Sequence, residues 1–131
     1  MASTGTWEPE ADQLRPDPSR VKAWLQHSWQ EASDLERLDD LDRASLQRWI
    51  DLPEDRWATL LDGLQIDELA RLACLCTLAE QHLSGCVAGD QSVVIHAFRR
   101  YRQLLGRPDP ELTRWIRANT DNRFLPYGPA L

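Results

Sequence analysis

The sequence predicts an all-α protein: a compact bundle of five to six short helices around a buried central helix at about residues 67–83. Apolar residues recur at spacings of three and four along most of residues 18–120, which is the period of an amphipathic helix. Residue types typical of helix starts and helix ends separate these segments. β-Branched residues are few and never alternate with polar ones over the length of a strand, so no sheet is expected.

The tetrapeptide Arg-Pro-Asp-Pro occurs twice, at residues 15–18 and 107–110. In each copy an aspartate precedes a proline. The carboxylate can accept hydrogen bonds from the first backbone N–H groups of a helix, and the proline φ suits the first helical position. The repeat therefore predicts one helix from Pro18 to about Ala32 and another from Pro110 to about Asn119, with apolar residues at helical spacing in both.

The segment between these helices first passes through an acidic stretch at residues 33–51. Its leucines and its Trp-Ile pair predict one or two short helices, the clearer at about 42–51. Pro53 is a residue type that suits a helix start, and Gly63 suits a helix end. A further helix is therefore expected between them.

The central helix is the most apolar segment of the chain. Asp67 is expected to cap it, and apolar residues cover nearly every side as far as about Leu83, which is the pattern of a helix buried on all faces. The pair Ser-Gly at 84–85 then predicts its end. Another start signal at residues 89–92 precedes a helix that Gly106 is expected to terminate.

The composition changes at both ends of this helical domain, residues 18–120. Residues 1–17 contain few apolar side chains besides Trp7, and their prolines and acids predict a flexible arm. Residues 121–131 form an apolar tail whose prolines and glycine exclude a helix. We expect the tail either to close over the bundle or to dock into a partner, and the cost of leaving apolar groups in water favours closure.

The overall composition excludes several classes of protein. Among 131 residues, 21 are acidic and 15 are basic, a net charge of −6, and 42% are hydrophobic. A wholly disordered chain and a protein that coats nucleic acid are both disfavoured. No apolar run approaches the roughly 18 residues of a membrane helix. The first residues lack the features of a secretory signal and the three cysteines are an odd number, so a cytoplasmic protein is expected.

The charge is polarised along the chain. Residues 31–68 hold 12 acidic and 4 basic residues, a net charge of −8, whereas residues 93–123 hold 7 basic and 3 acidic residues, a net charge of +4. Arg99 and Arg102 share one helix face. These arginines could bind phosphate or an acidic protein surface, or they could pair with the acidic half of the same chain.

Tryptophan and arginine, which are enriched in binding hot spots, stand next to each other at several positions. The apolar tail adds further aromatic rings. We therefore predict five partner-binding residues in the C-terminal third of the chain: Arg99, Arg102, Trp115, Phe124 and Tyr127.

No pattern in the sequence predicts catalysis, and neither a catalytic residue nor a cofactor is expected. Cys74 and Cys76 lie two apart on the central helix and point in different directions, so both are expected to pack in the core. A metal site built from Cys76, His82, Cys86 and His96 would match no zinc motif, so no metal ligand is predicted.

These observations rank three hypotheses about function. The first is a small cytoplasmic protein–protein interaction module, an accessory, adaptor or regulatory protein without catalytic activity of its own. The second is a helical ligand-binding or enzymatic bundle for an anionic metabolite or a metal. Weak nucleic-acid binding through the arginine-rich helix ranks last because of the acidic half. The expected partner is a protein, with a second copy of the chain as an alternative, and no membrane is expected.

Overall fold

The structure is a computed structural model that describes residues 14–83 and 89–129. Within these ranges it is all-α and contains no strand, which confirms the predicted fold class. The described residues form six α-helices in the order α1 Pro18–Trp24, α2 Asp40–Ile50, α3 Glu54–Asp62, α4 Ile66–His82, α5 Val93–Leu105 and α6 Pro110–Ala118. Short 3-10 segments at Ala32–Arg37 and Gly89–Gln91 precede α2 and α5.

Both copies of the tetrapeptide begin helices, as predicted. The Asp17 carboxylate accepts a hydrogen bond from the Ser19 backbone N–H at 3.0 Å, and α1 starts at Pro18. The Asp109 carboxylate accepts one from the Leu112 backbone N–H at 3.1 Å. Each side chain therefore satisfies a backbone donor that the first helical turn leaves without a partner.

Helix α1 is shorter than predicted, because it ends at Trp24 rather than near Ala32. The carbonyl groups at its end are taken by side chains from elsewhere in the chain. The Trp29 indole N–H donates to the Trp24 carbonyl oxygen at 3.0 Å, and the Arg71 guanidinium donates to that of Leu25 at 3.0 Å. Trp29 follows the apolar residues of α1 at helical spacing, but it is buried by a turn that follows the helix. Its spacing therefore does not indicate that the helix continues.

Helix α4 is the buried centre of the fold, close to its predicted bounds. Its largest contact is with α5, and it also packs against α2, α6 and the 3-10 segment 32–37. Gln65 and not Asp67 caps it. The Gln65 side chain accepts from the backbone of Glu68 and the Glu68 carboxylate accepts from the Gln65 N–H at 2.9 Å. This reciprocal pair satisfies two donors at once and leaves Asp67 in the first turn.

Four of the five described tryptophans belong to the core: Trp24, Trp29, Trp49 and Trp57. The Trp57 indole N–H donates to the Trp49 carbonyl oxygen at 2.9 Å. Arg20 lies over the rings of Trp24 and Trp49, at 5.7 and 5.2 Å from their centroids. Trp115 is the partly exposed member of the five. Trp7 lies outside the described residues.

In the part of the chain that the structure describes, no helix has the length and apolar character needed to cross a bilayer.

Candidate functional site

A groove of about 560 Å³ runs between the second half of α5 and the C-terminal segment. We call it the arginine groove. The residues that matter for its chemistry are Arg99, Arg102, Gln103, Arg107, Pro126 and Tyr127.

Helix α5 and its end bring the three arginines of the groove together. Arg99 and Arg102 lie three residues apart and therefore share one face. Gly106 ends the helix with a φ of 77°, a left-handed conformation that disfavours other residues, and its N–H donates to the Arg102 carbonyl oxygen at 2.9 Å. The chain turns sharply at this glycine, which places Arg107 on the wall of the same groove.

Tyr127 forms the aromatic side of the arginine groove. Its ring meets the buried Phe98 edge-on, with 5.5 Å between centroids, and its hydroxyl lies 3.1 Å from the Thr113 hydroxyl. The guanidinium groups of Arg102 and Arg117 lie 5.3 and 5.4 Å from the ring centroid. These contacts hold the ring in place while 47% of the residue remains exposed.

The groove arginines form no ion pair with a carboxylate of the described residues. Among the described residues, no Asp or Glu oxygen lies within 4.0 Å of the guanidinium groups of Arg99, Arg102 or Arg107. Three of the four arginines within residues 31–68 do have such partners, for example Arg43 with Asp40 at 2.7 Å. The groove therefore concentrates positive charge without an ion pair to a described carboxylate, although the Asp109 carboxylate interacts with Arg107 at longer range.

Pairing with the acidic half of the chain involves a different face of α5. The Arg100 Nε lies 4.0 Å from the Asp62 carboxylate of α3, and the His96 Nδ1 lies 3.5 Å from that of Glu54. Burial of the imidazole lowers the pKa of His96; Glu54 opposes this shift and Arg99 adds to it. Self-pairing thus involves Arg100 and His96, whereas Arg102 lines the arginine groove and Arg99 borders both the groove and the crevice between α3 and α5.

A second groove, of about 570 Å³, lies between α4, the end of α5 and α6. Trp115 lines this groove together with Arg71, Cys74 and Leu105, and Arg107 lies on the wall of both grooves. Burial, together with the Asp109 charge, raises the pKa of the Cys74 thiol to about 12. The thiol is therefore protonated at neutral pH and is a poor nucleophile.

The described part of the apolar tail, residues 121–129, packs over the bundle rather than extending from it. Leu125 and Pro126 are buried, and Phe124 packs partly buried against the core. Gly128 has a φ of 90°, and a β-carbon there would lie 3.3 Å from the Ile95 side chain, so this turn requires glycine. This close approach at Ile95 brings the neighbouring Tyr127 to the groove.

The structure gathers three of the five predicted contact residues, Arg99, Arg102 and Tyr127, in the arginine groove. The other two lie elsewhere. Trp115 lines the second groove, and Phe124 packs against the core with the Arg123 guanidinium 5.0 Å from its ring centroid. The prediction placed all five in one basic third of the chain, and the fold divides them between different surfaces.

Two arginines of this surface, Arg107 and Arg117, were not among the predicted residues. Arg107 belongs to the second Arg-Pro-Asp-Pro copy. Because this tetrapeptide indicates a helix start, it gives no indication that Arg107 lines a groove. A signal was available, because Arg107 directly follows the helix-ending Gly106 and a left-handed turn redirects the chain there. Arg117 approaches Tyr127 only through the packing of α6 against the tail, which no local pattern encodes.

Within the described ranges, no group of three or more His, Cys, Asp or Glu side chains is arranged to hold a metal ion. Of the four residues considered for such a site, Cys76 is fully buried and His82 is exposed at the end of α4. Cys86 lies outside the described residues.

Comparison of the chain with protein-family models, curated proteins and solved structures gave no significant match.

Proposed function

We propose that this protein is a small cytoplasmic interaction module without catalytic activity of its own, and that it binds a carboxylate-rich segment of a partner protein in the arginine groove. The observation that carries the proposal is the set of three arginines beside an exposed tyrosine, with no carboxylate of the described residues within 4.0 Å.

The chemistry of the groove favours carboxylates. A guanidinium group offers paired N–H donors that match the two oxygens of a carboxylate, and such charge-assisted bonds are stronger than neutral ones. Arg102 is held against the Tyr127 ring at 5.3 Å, so less side-chain freedom is lost when it binds. The exposed ring adds apolar contact of the kind that anchors protein interfaces.

The charge distribution favours a protein segment over nucleic acid. The net charge of the chain is −6, and 12 of its 21 acidic residues lie within residues 31–68. A long polyanion would meet this acidic half after leaving the groove, whereas a short acidic segment would not. Electrostatic complementarity confined to one groove supports specificity and orientation in protein docking.

Fluorescence anisotropy with a labelled peptide of alternating glycine and glutamate tests the proposal. The full chain is expected to bind the peptide, and Arg99→Gln/Arg102→Gln is expected to weaken binding by at least about tenfold. Arg114→Gln/Arg123→Gln is the matched control, because it removes the same charge from exposed arginines of the C-terminal third that do not line the groove.

The control variant is expected to bind within about twofold of the parent, since a general charge effect would weaken both double variants alike. Equal losses in the two variants would show non-specific attraction and contradict the proposal. Failure of the full chain to bind the peptide, or equally tight binding of single-stranded oligothymidylate, would contradict it as well. Circular dichroism of each variant checks that the helices are retained.

A further inference from the structure

The arginine groove and the second groove are neighbours that share one wall. The turn after α5 forms this wall. Gly106, Arg107 and Pro108 line the arginine groove, whereas Leu105, Arg107 and Asp109 line the second groove. The three residues on the side of the arginine groove are exposed. A ligand that lies across this turn can therefore contact both grooves at once.

The two grooves differ in charge. Among the described residues, three arginines and no carboxylate line the arginine groove. The charged residues that line the second groove are Arg71, Arg107, Asp109 and Glu111, so their formal charges balance. A run of carboxylates is therefore attracted to the arginine groove rather than to the second groove.

The second groove offers apolar contact. Two of its charged side chains already have hydrogen-bond partners in the fold, because Arg71 donates to the Leu25 carbonyl oxygen and Asp109 accepts from the Tyr101 hydroxyl. Its partly exposed apolar side chains are Leu105, Leu112 and Trp115. An apolar side chain of a ligand would lose contact with water against these three residues.

Exposed apolar residues are concentrated along the same surface. The large hydrophobic side chains that are exposed among the described residues are Leu41, Ile66, Leu104 and Tyr127. Tyr127 lines the arginine groove. Ile66 and Leu104 line a third depression, of about 820 Å³, which shares Arg71 with the second groove. Apolar exposure gathered in this way marks a surface that binds another protein.

We infer that the partner segment bound in the arginine groove continues across the turn at Arg107 and places an apolar side chain against Trp115 in the second groove. The partner then carries leucine-like residues directly beside its carboxylates. The two contacts reinforce each other, because the first makes the second intramolecular. The inference rests on the proposed function, since it extends the binding site of the same segment.

Two labelled peptides with the same glycine–glutamate centre test the inference by fluorescence anisotropy. One carries two leucines at each end, so that either direction of binding is allowed, and the other carries two serines at each end. The full chain is expected to bind the leucine peptide about tenfold more tightly. Equal affinities would overturn the inference and leave the proposed function standing. Failure to bind either peptide would contradict the proposed function and the inference with it.

The indole N–H signal of Trp115 shows where the leucines bind on the unmodified chain. The ¹H–¹⁵N spectrum of Trp115→Phe lacks this signal and thereby identifies it. The leucine peptide is expected to shift the indole signal and the amides of Leu105 and Leu112, whereas the serine peptide is expected to leave the indole signal unchanged. Tighter binding of the leucine peptide without a shift at Trp115 would overturn the inference.

A matched pair of variants tests the contribution of Trp115. Trp115→Ser is expected to reduce the preference for the leucine peptide to about twofold or less. The control is Leu41→Ser, because Leu41 is 76% exposed and lines neither groove. It is expected to retain the full preference, and an equal reduction in both variants would show general adhesion of the leucines and overturn the inference.

The double variant Arg99→Gln/Arg102→Gln tests whether one segment spans both grooves. It is expected to weaken the binding of both peptides, because the carboxylates bring the leucines to the second groove. Unchanged binding of the leucine peptide in this variant would show that its ends bind without the carboxylates, and the inference would be wrong.

Discussion

At the scale of single residues, Glu80 stands out as a carboxyl group placed where its charge is unfavourable. It lies in the last turns of α4, and its carboxylate accepts a hydrogen bond from the hydroxyl of the fully buried Ser92. Burial raises the pKa of Glu80 to about 7; the Ser92 hydrogen bond opposes this shift and the Asp51 charge adds to it. Ser92 also caps α5, so the pair joins the end of α4 to the start of α5.

Stability should therefore depend on the protonation of Glu80. Its pKa is raised above the unfolded value of 4.5, so the folded state binds this proton more tightly. The resulting stabilisation is complete below about pH 4.5 and is lost as the pH rises through about 7. Glutamine at this position cannot ionise and can still accept the Ser92 hydrogen bond.

Urea denaturation at several pH values between about 5 and 8 measures this dependence. The free energy of unfolding of Glu80→Gln, minus that of the parent, is expected to increase with pH by up to about 3 kcal/mol. A difference that stays constant over this range would show that Glu80 does not titrate there. Because the parent and Glu80→Gln share all other titratable groups, the contributions of those groups cancel in the difference between the two free energies of unfolding.

At the scale of elements, Asp109 connects two helices with one side chain. It caps α6 through the Leu112 N–H and accepts a hydrogen bond from the Tyr101 hydroxyl of α5 at 2.6 Å. The pKa of Asp109 lies below its ordinary value. The hydrogen bond from Tyr101 makes the largest contribution to this lowering, and the hydrogen bond from the Leu112 N–H makes the second largest. The corresponding Asp17 of the first tetrapeptide is hydrogen-bonded to Ser19 in its own turn.

This difference predicts that replacing the aspartate by alanine lowers the free energy of unfolding by unequal amounts in the two tetrapeptide copies. Asp17→Ala loses a helix cap, which costs about 1 kcal/mol. Asp109→Ala loses the cap and also leaves the Tyr101 hydroxyl without its acceptor, so about 2–4 kcal/mol is expected. Chemical denaturation of both variants measures the two costs. Equal losses would contradict a role for Asp109 beyond capping, and Tyr101→Phe isolates the hydroxyl contribution.

The local sequence predicted where most helices begin and end. It failed where side chains that are distant in the sequence determine the end of a helix. The starts of α1 and α6 were predictable because the capping aspartate and the first proline are neighbours in the chain. The central helix was predictable because a helix that is apolar on nearly every side has to be buried. The end of α1 was not predictable, because the Leu25 carbonyl oxygen just after the helix accepts a hydrogen bond from Arg71, which is distant in the sequence.

At the scale of the whole molecule, the fold places some basic residues of the C-terminal third beside acidic residues and others in the arginine groove. Acids of α3 lie beside Arg100 and His96 of α5, whereas Arg99, Arg102 and Arg107 line the arginine groove. The basic third of the chain contains all three arginines of the groove. The groove itself could not be predicted, because its shape depends on how the tail packs against α5.

The most direct test of the central claim is a titration of the ¹⁵N-labelled full chain with the unlabelled glycine–glutamate peptide. Binding in the arginine groove predicts saturable shifts concentrated at the amides of Arg99, Arg102, Gly106, Arg107 and Tyr127, with α1 and α2 unchanged. Shifts centred instead on the second groove at Trp115, or small unsaturable shifts spread over the whole surface, would contradict it.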